Sequence, residues 1–183
     1  MIVAMLHSVQ ESGYAATTVA DIVARAAVSR SSFYSQFADK GACFLAAYDF
    51  AMRHALSRLD TSEQQPVGSW RERVRRDLTG YLRVLMDEPA LAVTLHLEVL
   101  AAGPAALEHR AELLSVLASR IANLNELAHQ GDNSVRELPP ALFALYTGGL
   151  DELIRDRLRT GQAQGLADLA APLLEATYAM FGA

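Results

Sequence analysis

The residues of this chain best suited to specific contact chemistry are crowded into one short run. From Arg30 to Gln36 the sequence reads RSSFYSQ, so Arg30, Ser31, Ser32, Tyr34, Ser35 and Gln36 surround a single apolar Phe33. Arginine can grip the two acceptors of a guanine edge, and glutamine can pair with adenine or a phosphate. A serine hydroxyl can serve either a base edge or a phosphate. Tyr34 adds an aromatic body with a donor tip. Lys40 follows in what the pattern makes the first turn of the next helix. A cation there opposes the helix dipole, and a phosphate partner would reconcile the two. The chemistry on offer is recognition of a polyanion with readable edges, which is duplex DNA.

No other cluster competes with it. The five histidines, His7, His54, His96, His109 and His129, form no i, i+4 pair, and His96 and Glu98 stand two apart on different sides of a helix. No metal site or cofactor is expected from that spacing. The lone Cys43 excludes an intramolecular disulfide and a cysteine-based zinc site, and beside Phe44 it reads as a small buried residue. Its solitude fits a reducing, cytoplasmic compartment. Arg71, Arg73, Arg75 and Arg76 lie beside Glu72 and Asp77 and read as a solvated helix face with i, i+4 pairs. No nucleophile elbow, phosphate-binding glycine loop or Cys/His pairing is visible, so the chain is not expected to be an enzyme.

The elements that must position the Arg30–Gln36 run are helices. Ile2, Met5, Leu6 and Val9 share one face of a first helix, which Gly13 is expected to end. Thr18 caps a short second helix with Val19, Ile22 and Val23 on its stripe; Ser29 caps a third, and Asp39 a fourth. The turn between the second and third is too tight for antiparallel packing, which is the helix-turn-helix arrangement. After a loop over Asp60–Ser69, five more helices are expected. They are Trp70 to Leu85, Ala90 to Ala101, Leu107 to about Gly131, Pro139 to Thr160 and Leu166 to Phe181. No period-2 run is seen. The fold class is all-α, about nine helices, with residues 1–43 as a DNA-binding head and 44–183 as a helical body.

The stretch Gly13 to Leu45 closely resembles the head of the TetR family of bacterial regulators. Gly13, Tyr14, Thr17, Thr18, Val19, Ile22, Ala26, Val28, Ser29, Ser32, Phe33, Tyr34, Phe37, Lys40 and Phe44-Leu45 fall in the family's register. The resemblance implies that Thr18, Ser32, Tyr34 and Lys40 touch phosphates or bases, and that Arg30, Ser31 and Ser35 face base edges. Ser29 and Gln36 complete the expected DNA-binding set. Three departures stand out. Ala27 replaces the family's usual turn glycine, where a left-handed conformation would cost alanine about 1 kcal/mol. Gln36 replaces the usual His or Tyr. The basic arm that generally precedes the first helix would have to come from residues upstream of Met1, and the head without it is expected to bind weakly near physiological salt.

Charge sharpens that point. Residues 1–56 balance Arg25, Arg30, Lys40 and Arg53 against Glu11, Asp21, Asp39 and Asp49, so the net charge of −5 lies in the remainder. DNA binding must rest on the placement of a few groups rather than on a broad basic field. A hydrophobic share of 51% supplies a core, and no segment is long and apolar enough to span a membrane.

Three further expectations follow. The last two helices should form a homodimer, through Gly149, Leu150, Leu153, Leu169, Leu173 and Tyr178. The body should hold an apolar pocket of roughly 300–1,000 Å³ for a small molecule. Trp70, Tyr81, Leu85, His96, Phe143, Tyr146 and Thr147 should line it. The function implied is a transcriptional repressor released from operator DNA by a small-molecule effector. A helical protein-binding adaptor that has lost DNA binding, or an all-helical enzyme using dispersed residues, are the alternative classes.

Overall fold

The structure, a computed structural model, describes residues 1–63 and 68–182. Among them every regular element is helical, as the periodicity predicts. The helices are α1 (Ile2–Ala16), α2 (Val19–Ala26), α3 (Arg30–Tyr34), α4 (Lys40–Glu63), α5 (Trp70–Asp87), α6 (Pro89–His96), α7 (Pro104–Gly131), α8 (Pro140–Arg159) and α9 (Ala170–Phe181). Two 3₁₀ turns, Glu98–Ala101 and Ala163–Leu169, precede α7 and α9. No described helix is long and apolar enough to cross a membrane.

The polar caps sit where the sequence puts them. Thr18 and Asp21 exchange side-chain and backbone bonds in a full capping box, Ser29 accepts from Ser32 N–H, and Asp39 accepts from Ala42 N–H. Ser69 and Glu72 cap α5 reciprocally. Gly13, non-helical at φ +76°, ends the first helical run as expected, and a separate single turn carries α1 on to Ala16. Three boundaries differ from expectation. Of the loop expected over Asp60–Ser69, α4 takes the part up to Glu63, and residues 64–67 lie outside the described residues. The helix expected from Ala90 to Ala101 stops at His96, with no glycine or proline to announce it. The last α-helix starts at Ala170, after a 3₁₀ turn, and not at Leu166.

The chain packs as two compact units. The first comprises Met1–His54 and Glu88–Ala111, and the second Ala55–Asp87 and Glu112–Ala183. Packing does not divide at residue 43, because α4 runs unbroken from Lys40, and α6 and the Glu98–Ala101 turn lie against α1. In the first unit the core gathers Met5, Val9, Ile22, Phe33, Phe44 and Tyr48. His109 meets Asp49 at 2.6 Å and His54 meets Glu88 at 2.7 Å, tying α4 to α7 and to the start of α6.

In the second unit α5 packs on α9 and on the Ala163–Leu169 turn. The Tyr146 hydroxyl of α8 lies 2.8 Å from Thr177 Oγ1 and 3.3 Å from the Leu173 carbonyl of α9.

Candidate nucleic-acid interface and effector cavity

α2 and α3 are joined through Ala27, the one described non-glycine residue with positive φ (φ 52°, ψ 43°). This left-handed residue opens the short turn of residues 27–29 that redirects the chain from α2 into α3. Its N–H reaches back to Ala24 O, and Val28 N–H to Val23 O. Alanine bears the steric cost of a conformation that suits glycine. Ala27→Gly is therefore expected to raise unfolding free energy by about 0.5 kcal/mol once glycine's own entropy is deducted from the left-handed cost. Urea denaturation checks this, and an unchanged or lower midpoint would contradict it.

α3 buries Phe33 completely and turns the rest of its side chains outward. Phe33 packs edge-on to Tyr34 and tilted against Phe37, with ring centroids 5.4 and 5.5 Å apart. Arg30, Ser31, Ser32, Ser35 and Gln36 are exposed, and Tyr34 is 57% exposed. Ser29 and Ser32 are partly engaged: Ser29 Oγ accepts from Ser32 N–H at 3.0 Å, and the two hydroxyls lie 2.9 Å apart. Ser35 donates to Ser32 O at 2.9 Å. The side chains of Arg30, Ser31, Tyr34 and Gln36 have no hydrogen-bond partner among the described residues. Arg25, by contrast, is paired with Glu11 and bonded to Ser8.

Two expected DNA contacts are held by the protein itself. Thr18 spends its hydroxyl on Asp21, donating to Oδ2 at 2.6 Å and accepting from N–H at 3.3 Å. Lys40 Nζ donates to Tyr14 O at 2.8 Å and Thr17 O at 2.9 Å, with Ala15 O at 3.5 Å. It also stands 4.2 Å from the centre of the Tyr14 ring. The cation that looked misplaced at the N-terminus of α4 thus satisfies carbonyls at the C-terminal end of α1, where the dipole favours it. Burial raises the Tyr14 phenol pKa, and the Asp39 carboxylate adds to the effect. The matching residue at the other end of that turn is Glu98, whose carboxylate accepts Tyr14 N–H at 2.6 Å. Lying 84 residues away along the chain, it carries no local signal that sequence reasoning could use.

In the second unit a cavity of about 70 Å³ is lined by Leu59, Val74, Asp77, Leu78, Tyr81, Leu117, Arg120, Ile121, Leu124, Tyr146, Leu150 and Thr177. Only Tyr81 and Tyr146 of the expected pocket residues belong to this lining. His96 is buried in the first unit, while Leu85, Phe143 and Thr147 are buried away from this lining. Trp70 packs on Phe181 and Tyr178, under the Arg71 guanidinium. The space is well below the expected volume, because side chains from α4, α5, α7, α8 and α9, most of them aliphatic, close in on it.

The expected dimer stripe divides in two. Leu150, Leu169 and Leu173 are each 5% exposed and belong to the protomer's own core, and Tyr178 covers Trp70. Gly149 and Leu153 are at the surface. The outward face of α8 carries Ala141, Leu145, Gly149 and Leu153 at four-residue spacing, with Leu145 71% and Leu153 45% exposed. Leucine content alone does not tell an inward stripe from an outward one, and here the two lie side by side on one helix.

Two helices joined by a three-residue turn with a left-handed first residue, the second presenting unpaired Arg and Ser side chains with Gln36 just beyond its end, define a helix-turn-helix DNA-binding regulator. Residues 3–47 match the family described as bacterial regulatory proteins, tetR family, so the head of the chain is that of a TetR-family transcriptional regulator. Similar solved structures extend the likeness of fold over the body. FadR from Bacillus subtilis, solved in complex with stearoyl-CoA, is 18% identical, with a TM-score of 0.84 over 98% of this chain and 96% of that one. FadR from Bacillus halodurans, a fatty acid degradation regulator, is 18% identical, with a TM-score of 0.83 over 96% and 91%. A tetR-family regulatory protein from Rhodococcus RHA1 is 18% identical, with a TM-score of 0.75 over 99% and 94%. No curated protein matches the chain in sequence.

Proposed function

We propose that this regulator is a homodimeric, cytoplasmic, non-enzymatic repressor whose two heads grip an operator and release it when a small-molecule effector enters the body. The observation that carries the reading is α3, with Arg30, Ser31, Tyr34 and Gln36 exposed and uncommitted on a helix anchored from behind by Phe33. Dimerisation is assigned to the outward faces of α8, around Leu145 and Leu153, and of α9, where Ala171, Ala176 and Ala179 are exposed. A helix-turn-helix protein reading two half-sites needs two heads, which supports this assignment.

The effector site is assigned to the cavity beside Tyr81 and Tyr146, whose walls are mostly aliphatic. An acyl thioester, the class of ligand held by the Bacillus subtilis FadR, is the first compound to try. α4 gives Leu59 to the cavity wall and Lys40 to the head, so one helix serves both sites. A ligand that favours a different packing of the cavity would shift the population of heads able to bind.

Selection from a random duplex library tests the DNA-binding surface. Arg30→Ala is expected to lose roughly 1–3 kcal/mol on the selected duplex and to relax one base position in each half-site. Arg30→Ala binding with unchanged affinity and unchanged preference would remove α3 as the reading element.

A further inference from the structure

The single turn between the break at Gly13 and the start of α2 is held at both ends by side chains from distant parts of the first unit. Tyr14 opens this turn, so its N–H has no helical acceptor before it. Glu98, from the 3₁₀ turn after α6, supplies one at 2.6 Å. At the other end Lys40, from α4, takes the carbonyls of Tyr14 and Thr17. An anion at the N-terminal end and a cation at the C-terminal end both suit the dipole of the turn. Gly13 is favoured by its φ of +76°, and a Cβ there would also crowd Glu98 Oε2 at 3.3 Å. Thr18, the cap of α2, follows directly. The placement of α2, and through Ala27 that of α3, therefore depends on where the Tyr14 turn is held.

We propose that Glu98 is a positioning residue for DNA recognition: its bond to Tyr14 N–H fixes the head in the geometry that reads a specific site, and displacement of the Glu98–Ala101 turn releases it. The proposal rests on the DNA-binding reading above and adds a regulatory contact to it. Glu98 touches no DNA. Its effect must therefore fall on specific recognition, where the aim of α3 matters, and spare general attraction to the phosphate backbone.

The test starts with a duplex selected from a random library by the wild-type protein. Against that duplex Glu98→Ala should bind about tenfold more weakly, the loss expected when one charge-assisted hydrogen bond goes. Glu98→Gln, whose amide oxygen still accepts the N–H, should stay within about threefold. Both should bind an unrelated duplex as the wild type does. Amide exchange at Tyr14 should quicken in Glu98→Ala and not in Glu98→Gln. Wild-type affinity of Glu98→Ala for the selected duplex overturns the proposal, as does an equal loss on both duplexes. Where Glu98→Ala does not fold, Glu98→Asp replaces it, with the carboxylate one methylene short of its contact and the same outcomes deciding. A wild-type protein that selects no duplex is the separate failure of the DNA-binding reading, and it takes this proposal with it.

Discussion

Leu145→Glu should sediment as a monomer at micromolar concentration and lose nearly all operator affinity. Leu145 is 71% exposed in the protomer, with Gly149 and the 45%-exposed Leu153 on the same face of α8. A large aliphatic side chain held in solvent beside a glycine suits close approach of another helix. A carboxylate placed there would enter a dimer interface unpaired, which the association free energy does not tolerate. The consequence for DNA is larger than the single contact. Two heads on one operator act as a bivalent ligand, and separating them forfeits about 10²–10⁴ in affinity. Leu145 makes no DNA contact in this reading, so a monomer with a folded head is the expected species. Analytical ultracentrifugation and gel shift on the same sample decide the matter. A Leu145→Glu dimer of wild-type strength would show that the chains associate elsewhere.

Lys40→Met should destabilise the head while leaving the salt dependence of DNA binding unchanged. The ammonium donates to two carbonyls at 2.8 and 2.9 Å and faces the Tyr14 ring, and methionine keeps the apolar stem without the donors. Loss of a charged donor to two backbone acceptors costs about 1.5–3 kcal/mol, discounted toward the lower figure for a partly exposed group. If Lys40 instead neutralised a phosphate, the slope of log affinity against log salt would fall by about 1 per head and stability would hold. Thermal melts with titrations at two salt concentrations separate these outcomes. The local dipole argument from sequence favours a phosphate partner. The fold supplies a nearer one, because the C-terminal end of α1 meets the N-terminal end of α4 only once the chain is folded.

That contrast marks what could be read in advance. Thr18, Ser29 and Asp39 each act on the residue three ahead, so their caps are legible in the letters. The left-handed Ala27 is legible too, because a turn that tight demands it wherever the glycine has gone. Helical period gives nearly every helix. What stays hidden depends on contacts between segments far apart in the chain. Glu98 looks like any surface acid until α6 is laid against α1. Leu150 and Leu153 differ by less than one helical turn, yet one faces the core and the other solvent. Tyr81 and Tyr146 could be named for the cavity from their amphipathic character. Leu59, Leu117 and Arg120 could not, since only packing brings α4 and α7 beside them.

The cavity's size has a consequence for dose. A space of about 70 Å³ suits a few water molecules, and anything larger is admitted only by a protein whose walls have parted. On the effector site proposed above, the fraction of molecules in that state multiplies the intrinsic affinity, so the effector concentration needed for a response would rise as that fraction falls. In that reading, tighter packing among the lining residues Leu78, Leu117 and Leu150 would raise the threshold and looser packing would lower it, with no change in any polar group of the lining. Sensitivity and chemical selectivity are then adjustable at different residues. A lineage facing scarcer effector would retune the sensor by trimming a leucine in the wall while keeping its ligand.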